Sequence, residues 1–420
     1  MNAIKESSIV QEKIPNRFSD PTQAKDFMLK LLGAFFIDGD PTPSSSEITK
    51  IAHALNRGDE LADSLVKSMP PGRLMPLLNQ ALEKGIESVK DAPVELKALF
   101  DQVDTIPSWV DWELYQQATI VAQRTSFFGE FILSCVSLMG GYRSSAANKP
   151  IALTGALTYN AKRRIAETSQ FTYDVTRKDS MRRENVGFKS AVKVRIMHAH
   201  VRNRLSNSDE WNHDEWGLPV NQADLVSTNL LFSMVFLMGL RVMGFRFSER
   251  DSFATMQLWR YIGYVMGIEE DLLPHTEAEG QKLAYLVGNS QPPADEDSRK
   301  LGEALRDVPF ESASTLPEQI LAFFEMHYRS GLRRAILGGK AGDDLGLPAT
   351  PFIFAPLITS PLIYLAETIR MTFPALENVM ANIGETWLNY RIQSMVAGKP
   401  ADFIFKGPVA PQGTLAGSAT

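Results

Sequence analysis

Two segments of this chain carry the residue types best suited to chemistry. In the first, Arg164 and Thr168 are four residues apart, so a helix places them on one face, with Glu167 beside them. In the second, thirty residues further on, His198 lies among apolar residues. An imidazole against an apolar wall is suited to binding a haem iron from one side, with an arginine, a hydroxyl and a carboxylate opposite. Together the segments favour an oxygenase.

Each of these residues also has a purely structural interpretation. His198 is suited to a hydrogen-bonded position in the core. Arg164 and Glu167 would form an ordinary helix ion pair, on the order of a few tenths of a kcal/mol. The Thr168 hydroxyl would donate a hydrogen bond to the carbonyl of Arg164. The pattern alone leaves both interpretations open.

Two arginines flank His198 in the same segment. Arg195 precedes it by three residues and Arg202 follows it by four. On a solvated helix face they would be ordinary surface charges. Beside a haem they would bind the propionates, because a guanidinium matches the two oxygens of a carboxylate. The cofactor-binding prediction therefore comprises His198 as the metal ligand together with Arg164, Arg195 and Arg202.

Other metal chemistry has little support in the sequence. His198 and His200 are two residues apart, so a helix points them roughly 200° apart and they cannot bind one metal. Cys135 is the single cysteine, which excludes an intramolecular disulfide and a cysteine-based zinc site. Its apolar surroundings are typical of an inert core thiol, with a haem thiolate as the alternative. No C-x-x-C-H motif occurs, so covalent c-type haem is excluded.

Composition narrows the class of protein. The chain has 420 residues, of which 44% are hydrophobic and 22% charged, as in ordinary globular proteins. Its net charge of −6 provides no basic excess, so nucleic acid is not an expected partner. The N-terminus is polar and lacks the apolar stretch of an export signal, so we expect a cytoplasmic location.

The stretch 345–366 is uncharged and long enough to cross a bilayer, but it contains four prolines. Because internal prolines break helices, the stretch predicts a buried or interfacial loop with short helices, and no transmembrane span. A peripheral contact with a membrane is compatible with this pattern. The sequence favours no particular oligomeric state.

Apolar spacing along the chain is helical, and no run alternates as a strand would, so the predicted fold class is all-α. We divide the chain into a flexible leader (1–20), an N-terminal helical segment packed on the core (21–104), the main helical domain (105–400) and a flexible tail (401–420). The histidine helix is predicted over 188–205. Asn221 is predicted to cap an apolar helix around 230–240, with Asp224 favourable in its first turn.

Several motifs taken together are more specific than any one of them. In chain order they are Arg164-x-x-x-Thr168, Met197-His198, Trp216-Gly-x-Pro219-x-Asn221-Gln-x-Asp224-x-x-x-Thr228, Trp259-Arg260-x-x-Gly263, Leu272-Leu273-Pro274 and Asp344-Leu-Gly-Leu-Pro348. Over roughly residues 105–350 the chain resembles the latex clearing protein (rubber oxygenase) family. More broadly it is similar to the superfamily that includes the endoplasmic-reticulum-bound oxygenases of mycophenolic acid synthesis.

The resemblance implies a globin-like helical core around a non-covalent haem b, with additional peripheral helices. It implies His198 as the proximal iron ligand and places Arg164 and Thr168 in the haem pocket. It also implies dioxygen and a hydrophobic unsaturated substrate, whose carbon–carbon double bond is cleaved to carbonyl products.

Two positions depart from the rubber-cleaving members of that family. Those proteins have a lysine directly before the threonine, where this chain has Glu167. They also use a glutamate upstream of the arginine as a base, whereas here no acidic residue lies between Glu130 and Glu167. Glu167 is therefore the predicted base, or the chemistry differs. Because rubber is extracellular and no export signal is seen, a smaller unsaturated lipid or terpenoid is the expected substrate.

Two other functions are compatible with the sequence. A non-catalytic haem-binding or gas-sensing protein would use the same His198 without substrate turnover. A haem-free helical interaction protein would use Arg164 and Glu167 only as an ion pair. The visible absorption spectrum separates the haem proteins from the haem-free one.

Overall fold

The computed structural model describes residues 13–25, 27–154 and 161–396, and over these ranges it contains helices and no β-strand. The all-α prediction is confirmed. Residues 1–12, most of the predicted leader, and the predicted tail 401–420 lie outside the described residues.

The first five helices form the N-terminal part of the chain. They are α1 Phe27–Phe35, α2 Ser45–Ala54, α3 Glu60–Ser68, α4 Pro71–Lys84 and α5 Val94–Val103, with a 3₁₀ turn at Ile86–Ser88. Their buried side chains belong to a core that includes side chains of later helices. The N-terminal segment is therefore packed on the rest of the protein. Within the predicted flexible leader, Pro15 and Arg17 are buried. Arg17 is buried there and forms an ion pair with Asp224 at 2.8 Å.

The next six helices carry the predicted chemistry. They are α6 Trp112–Arg124, α7 Ser126–Ile132, α8 Met139–Gly141, α9 Ser145–Thr154, α10 Ala161–Thr176 and α11 Val186–Ser206. Between α7 and α8 the chain continues as a π-helical segment, Leu133–Leu138, and such segments are frequent at functional sites. The histidine helix α11 extends two residues beyond its predicted start and one beyond its predicted end. It packs against both α3 and α10.

Five helices follow around the core: α12 His213–Trp216, α13 Gln222–Phe232, α14 Met234–Val242, α15 Glu249–Val265 and α16 Glu277–Ser290, with a 3₁₀ turn at Glu270–Leu272. The Asn221 side chain accepts a hydrogen bond from the Asp224 amide, which confirms the predicted cap. The single apolar helix expected around 230–240 is two helices, because the backbone of Ser233 leaves the helical region.

The C-terminal helices are α17 Glu296–Asp307, α18 Leu316–Leu337, α19 Gly339–Asp344, α20 Ala355–Thr372 and α21 Ala375–Val396, with 3₁₀ segments at Val308–Ser312 and Pro351–Phe354. The predicted loop with short helices over 345–366 is wrong for its second half, and so is the buried alternative, whereas the interfacial alternative stays a prediction. Helix α20 runs continuously through Pro361, and most of its side chains are exposed.

An inward-facing charge network explains this exposure. Glu367, one of two charged residues of α20, is buried and ion-paired with Arg124 at 3.1 Å and with Arg370 at 3.0 Å. Arg124 also contacts Asp251 at 3.2 Å. Because the charges of α20 face the protein, its apolar side chains face outward, the reverse of an ordinary surface helix.

Among the described residues, two stretches are helical, long and apolar enough to cross a membrane by length and composition. Gln222–Val242 is mostly buried within the protein, as a core helix would be. Pro351–Thr372 is only 6% buried, so its apolar surface needs a separate explanation.

Candidate active site

His198 lies in the middle of α11 with its Nδ1 atom buried and without a hydrogen-bond partner among the described residues. Burial, together with the positive charges of Arg202 and Arg164, lowers the pKa of His198 to about 3. The imidazole is therefore neutral at physiological pH. The neutral form is the one that binds a metal.

Helix α10 supplies the residues predicted opposite His198. Glu167 forms ion pairs with Arg163 at 3.1 Å and with Arg164 at 3.5 Å. The Thr168 hydroxyl donates to the carbonyl of Arg164 at 3.0 Å, as the structural interpretation expected. Because the charge of Arg164 also acts on His198, the structure brings the two predicted segments to one region.

The structure argues against a propionate role for Arg195. All three of its guanidinium nitrogens are hydrogen-bonded within the protein, two of them to Asp59 at 2.6 and 2.9 Å. The third donates to Gln102 and to the carbonyl of Val265. With Asp59 and Arg195 both buried, the pair is a closed structural contact that leaves no free nitrogen for a cofactor.

The guanidinium of Arg202 has fewer hydrogen-bond partners than that of Arg195. Its Nε donates to both carboxylate oxygens of Asp63 at 2.9 Å, and its Nη1 donates to the carbonyl of Val220. Its Nη2 is buried without a partner among the described residues. Arg202 therefore keeps one donor group available close to His198.

A cavity with an empty volume of about 870 Å³, including its open mouth, lies beside α10. Thr168 is the predicted catalytic residue on its wall. Most of the lining is apolar, and it comes from eight parts of the fold: α6, α7, the π-helical segment, α10, α13, α14, α15 and α21. Examples are Val121, Leu133, Ile165, Phe236, Trp259 and Leu388. Such a space suits a hydrophobic small molecule.

Sequence reasoning did not assign a role to Glu130, which also lines this cavity. Its carboxylate is nearly buried and accepts hydrogen bonds from Arg391 at 3.3 Å. The sequence does carry a signal for it, because Glu130 is the only charged residue in the apolar run 126–141. A carboxylate in such a run is costly to bury unless it has a specific partner.

Comparisons with known proteins bear on the family and on the fold. Residues 126–356 match the family described as "ER-bound oxygenase mpaB/B'/Rubber oxygenase, catalytic domain". The chain is similar to a rubber oxygenase of Streptomyces sp. (strain K30), with 22% identity over 357 residues, 81% of this chain and 83% of the relative. It also shares the fold of latex clearing protein solved in its closed state, with a TM-score of 0.57 and 21% identity over 80% of this chain and 91% of the other.

The depressed pKa of His198 makes stability depend on pH. In the unfolded chain the imidazole takes up a proton below its ordinary pKa of 6.5, whereas the folded protein holds it neutral down to about pH 3. Its contribution to stability is therefore complete above pH 6.5 and falls by up to about 1.4 kcal/mol per pH unit below it. We expect His198→Gln to flatten this loss when urea unfolding of the haem-free protein is measured at pH 7, 5.5 and 4.5. Parallel curves for the two proteins would contradict the buried neutral imidazole.

Proposed function

Because the chain belongs to the ER-bound oxygenase mpaB/B'/rubber oxygenase family and is therefore an oxygenase, we propose that it uses haem b and dioxygen to oxidise a hydrophobic unsaturated lipid or terpenoid. The observation that carries the proposal is the neutral His198, whose Nδ1 atom is buried without a partner among the described residues, with the charge of Arg164 acting on it and an apolar cavity beside α10.

The residues present fit a haem. His198 offers an uncharged imidazole with a buried, unpartnered nitrogen, which suits an axial ligand. Arg164 and the free Nη2 of Arg202 provide positive charge close to that ligand. A haem b held there would supply the iron chemistry that activates dioxygen toward a carbon–carbon double bond.

The cavity residues have a separate task. Their apolar side chains exclude water and hold an unsaturated chain, while Thr168 provides a hydroxyl at the wall. We assign oxidative cleavage as the reaction: both atoms of dioxygen are incorporated, the double bond breaks and two carbonyl products form. The relative from Streptomyces is named for rubber, but an empty volume of about 870 Å³ suits a drug-sized molecule or a short segment of a longer chain.

Haem retention tests the ligand assignment. Replacing His198 by Ala should abolish the Soret absorbance of the purified, haem-supplemented protein, because the axial ligand is lost. His200→Ala is the matched control, since His200 is two residues away on the same helix, and it should retain haem. Equal haem content in the His198 variant and the wild type would contradict the assignment. If the wild type binds no haem at all, the result would favour a haem-free interaction protein.

Turnover measurements distinguish which of two carboxylates, Glu167 or Glu130, acts as the base. Sequence reasoning proposed Glu167 as the base, but its two ion pairs suit it to positioning Arg164. Glu130 lines the cavity itself and is the carboxylate that a bound substrate meets. We expect Glu130→Gln to lower turnover of an unsaturated substrate by on the order of 10²-fold with haem content unchanged. Glu167→Gln should lower turnover by a smaller factor. The reverse order would restore Glu167 as the base, and full activity in both would exclude a carboxylate base.

We also infer that the protein rests on a lipid bilayer through the apolar surface of α18, α20 and α21. These neighbouring helices expose many large apolar side chains: Leu316, Leu321, Phe324, Phe354, Leu357, Ile358, Leu362, Leu365, Ile369, Val379 and Ile383. Both charged residues of α20 point inward, so its outer face is uncharged, which matches hydrocarbon better than a polar partner. Leu388 of α21 lines the cavity, so this surface adjoins the site where a lipid would react.

Vesicle binding tests the membrane contact. Leu357 and Leu362 are 73% and 63% exposed, so replacing both with Glu should leave the fold intact. We expect the double variant to lose at least about 10-fold in binding to phosphatidylcholine vesicles, because two apolar side chains no longer enter the bilayer. Val94→Glu is the control, since Val94 is 72% exposed on another part of the molecule. Unchanged vesicle binding would contradict the contact, and a wild-type dimer that the double variant disrupts would identify a second copy as the occupant.

A further inference from the structure

Arg333 is a buried cation that has no carboxylate partner among the described residues. Its residue is 1% exposed, and its Nε and Nη1 atoms have no hydrogen-bond partner among the described residues. No described carboxylate lies within ion-pair distance of it. The other buried arginines discussed above differ, because Arg124, Arg195 and Arg202 each contact at least one aspartate.

The neighbours of Arg333 do not neutralise it. It hydrogen-bonds the Cys135 thiol, which is a weak acceptor. The charge of Arg329, one turn earlier on α18, acts on it unfavourably. Arg329 has its own partners, Glu325 at 2.8 Å and the Ser134 hydroxyl at 3.4 Å. The cluster therefore keeps one uncompensated positive charge in a core otherwise formed by apolar side chains.

The charges of Arg333 and Arg164 act on one common side chain. The phenol of Tyr142 is buried, and the charges of both Arg164 and Arg333 act on it. Arg164 in turn acts on His198. Tyr142 is therefore influenced both by the guanidinium that acts on His198 and by Arg333, whose Nε and Nη1 have no partner among the described residues.

We propose that Arg333 and Tyr142 form a carboxylate-binding site. The unpartnered Nε and Nη1 groups of Arg333 can each donate to a carboxylate oxygen, and the phenol adds a third donor. A single negative charge balances the single uncompensated positive one. A phosphate would bring more charge than this apolar surrounding neutralises.

Two sources of carboxylate fit this site. One is a propionate of the haem, in which case the site rests on the proposed function. It would then take the role that sequence reasoning gave to Arg195. The other is the carboxylate end of an unsaturated fatty acid. Both sources present the same chemical group. Comparing each acid with its ester tests which of them binds, because the ester keeps the shape of the ligand and removes its negative charge.

The experiment compares Arg333→Met with the wild type, using Arg334→Met as the control on the same helix. Arg334 already has Asp343 at 2.7 Å and the carbonyl of Leu347 at 2.9 Å, so its loss should not affect a ligand. Each haem-free protein is titrated with haem b and with haem b dimethyl ester, followed by Soret absorbance. Thermal unfolding is then measured with oleate and with methyl oleate.

We expect Arg333→Met to weaken haem b binding by about 10- to 100-fold and to leave the dimethyl ester unaffected. The haem-free variant should be at least as stable to urea as the wild type, because an uncompensated buried charge has been removed. If haem binding is unchanged but the stabilisation by oleate is lost, the carboxylate comes from the substrate.

Two results would overturn the site. One is a variant that binds all four ligands as the wild type does. The other is a variant that is less stable without haem and binds acid and ester equally poorly, which indicates a structural role. If the wild type binds no haem, the proposed function fails, and the comparison of oleate with methyl oleate still decides whether the carboxylate site exists.

Discussion

Helix α11 is held in place by two buried ion pairs, and the candidate site depends on them. Arg195 binds Asp59 and Arg202 binds Asp63, so both arginines that flank His198 are anchored on helix α3. Removing one partner of a buried pair typically costs about 3–5 kcal/mol, since the other charge is left uncompensated. Rotation or sliding of α11 would break both pairs at once, which fixes the direction in which His198 points.

The backbone around these pairs is arranged to admit them. Gly267 adopts a left-handed φ of 81°, and a side chain there would collide with the Asp59–Arg195 pair. A Cβ atom at Gly58 would lie 2.6 Å from the carboxylate of Asp63. Asp59 also caps α3 by accepting a hydrogen bond from the Ala62 amide. The first hundred residues, which lie outside the matched catalytic domain, therefore help to position the histidine of that domain.

Local features of the sequence predicted the helices and their caps well. The roles of the charged side chains depend on contacts between residues far apart in the chain, which local features do not show. The histidine helix and the Asn221 cap depend on residues one turn apart, so periodicity and capping rules locate them. The partner of Arg195 is 136 residues away, and Arg391 is 261 residues from Glu130. No spacing rule connects such pairs. Sequence reasoning therefore read Arg195 as a cofactor ligand and left Glu130 without a role.

The same limit explains the misjudged stretch at 345–366. Prolines and a lack of charge predicted a buried or interfacial loop with short helices, because a long exposed apolar helix is unusual in a soluble protein. The deciding residue, Glu367, lies one position beyond that stretch, and it binds Arg124, which is 243 residues away. Once Glu367 and Arg370 are held inside, the geometry of the helix turns its apolar residues outward.

Buried arginines with and without counter-ions have different consequences for this fold. A guanidinium closed by aspartate, as in Arg195, stabilises one arrangement of helices whether or not a ligand is present. A buried guanidinium without a carboxylate partner among the described residues, as in Arg333, lowers the stability of the ligand-free protein. An anion that binds only the folded state restores that stability in proportion to its affinity. The arginines paired with aspartate therefore hold the helices together. The unpaired arginine instead makes the stability of the fold depend on a ligand.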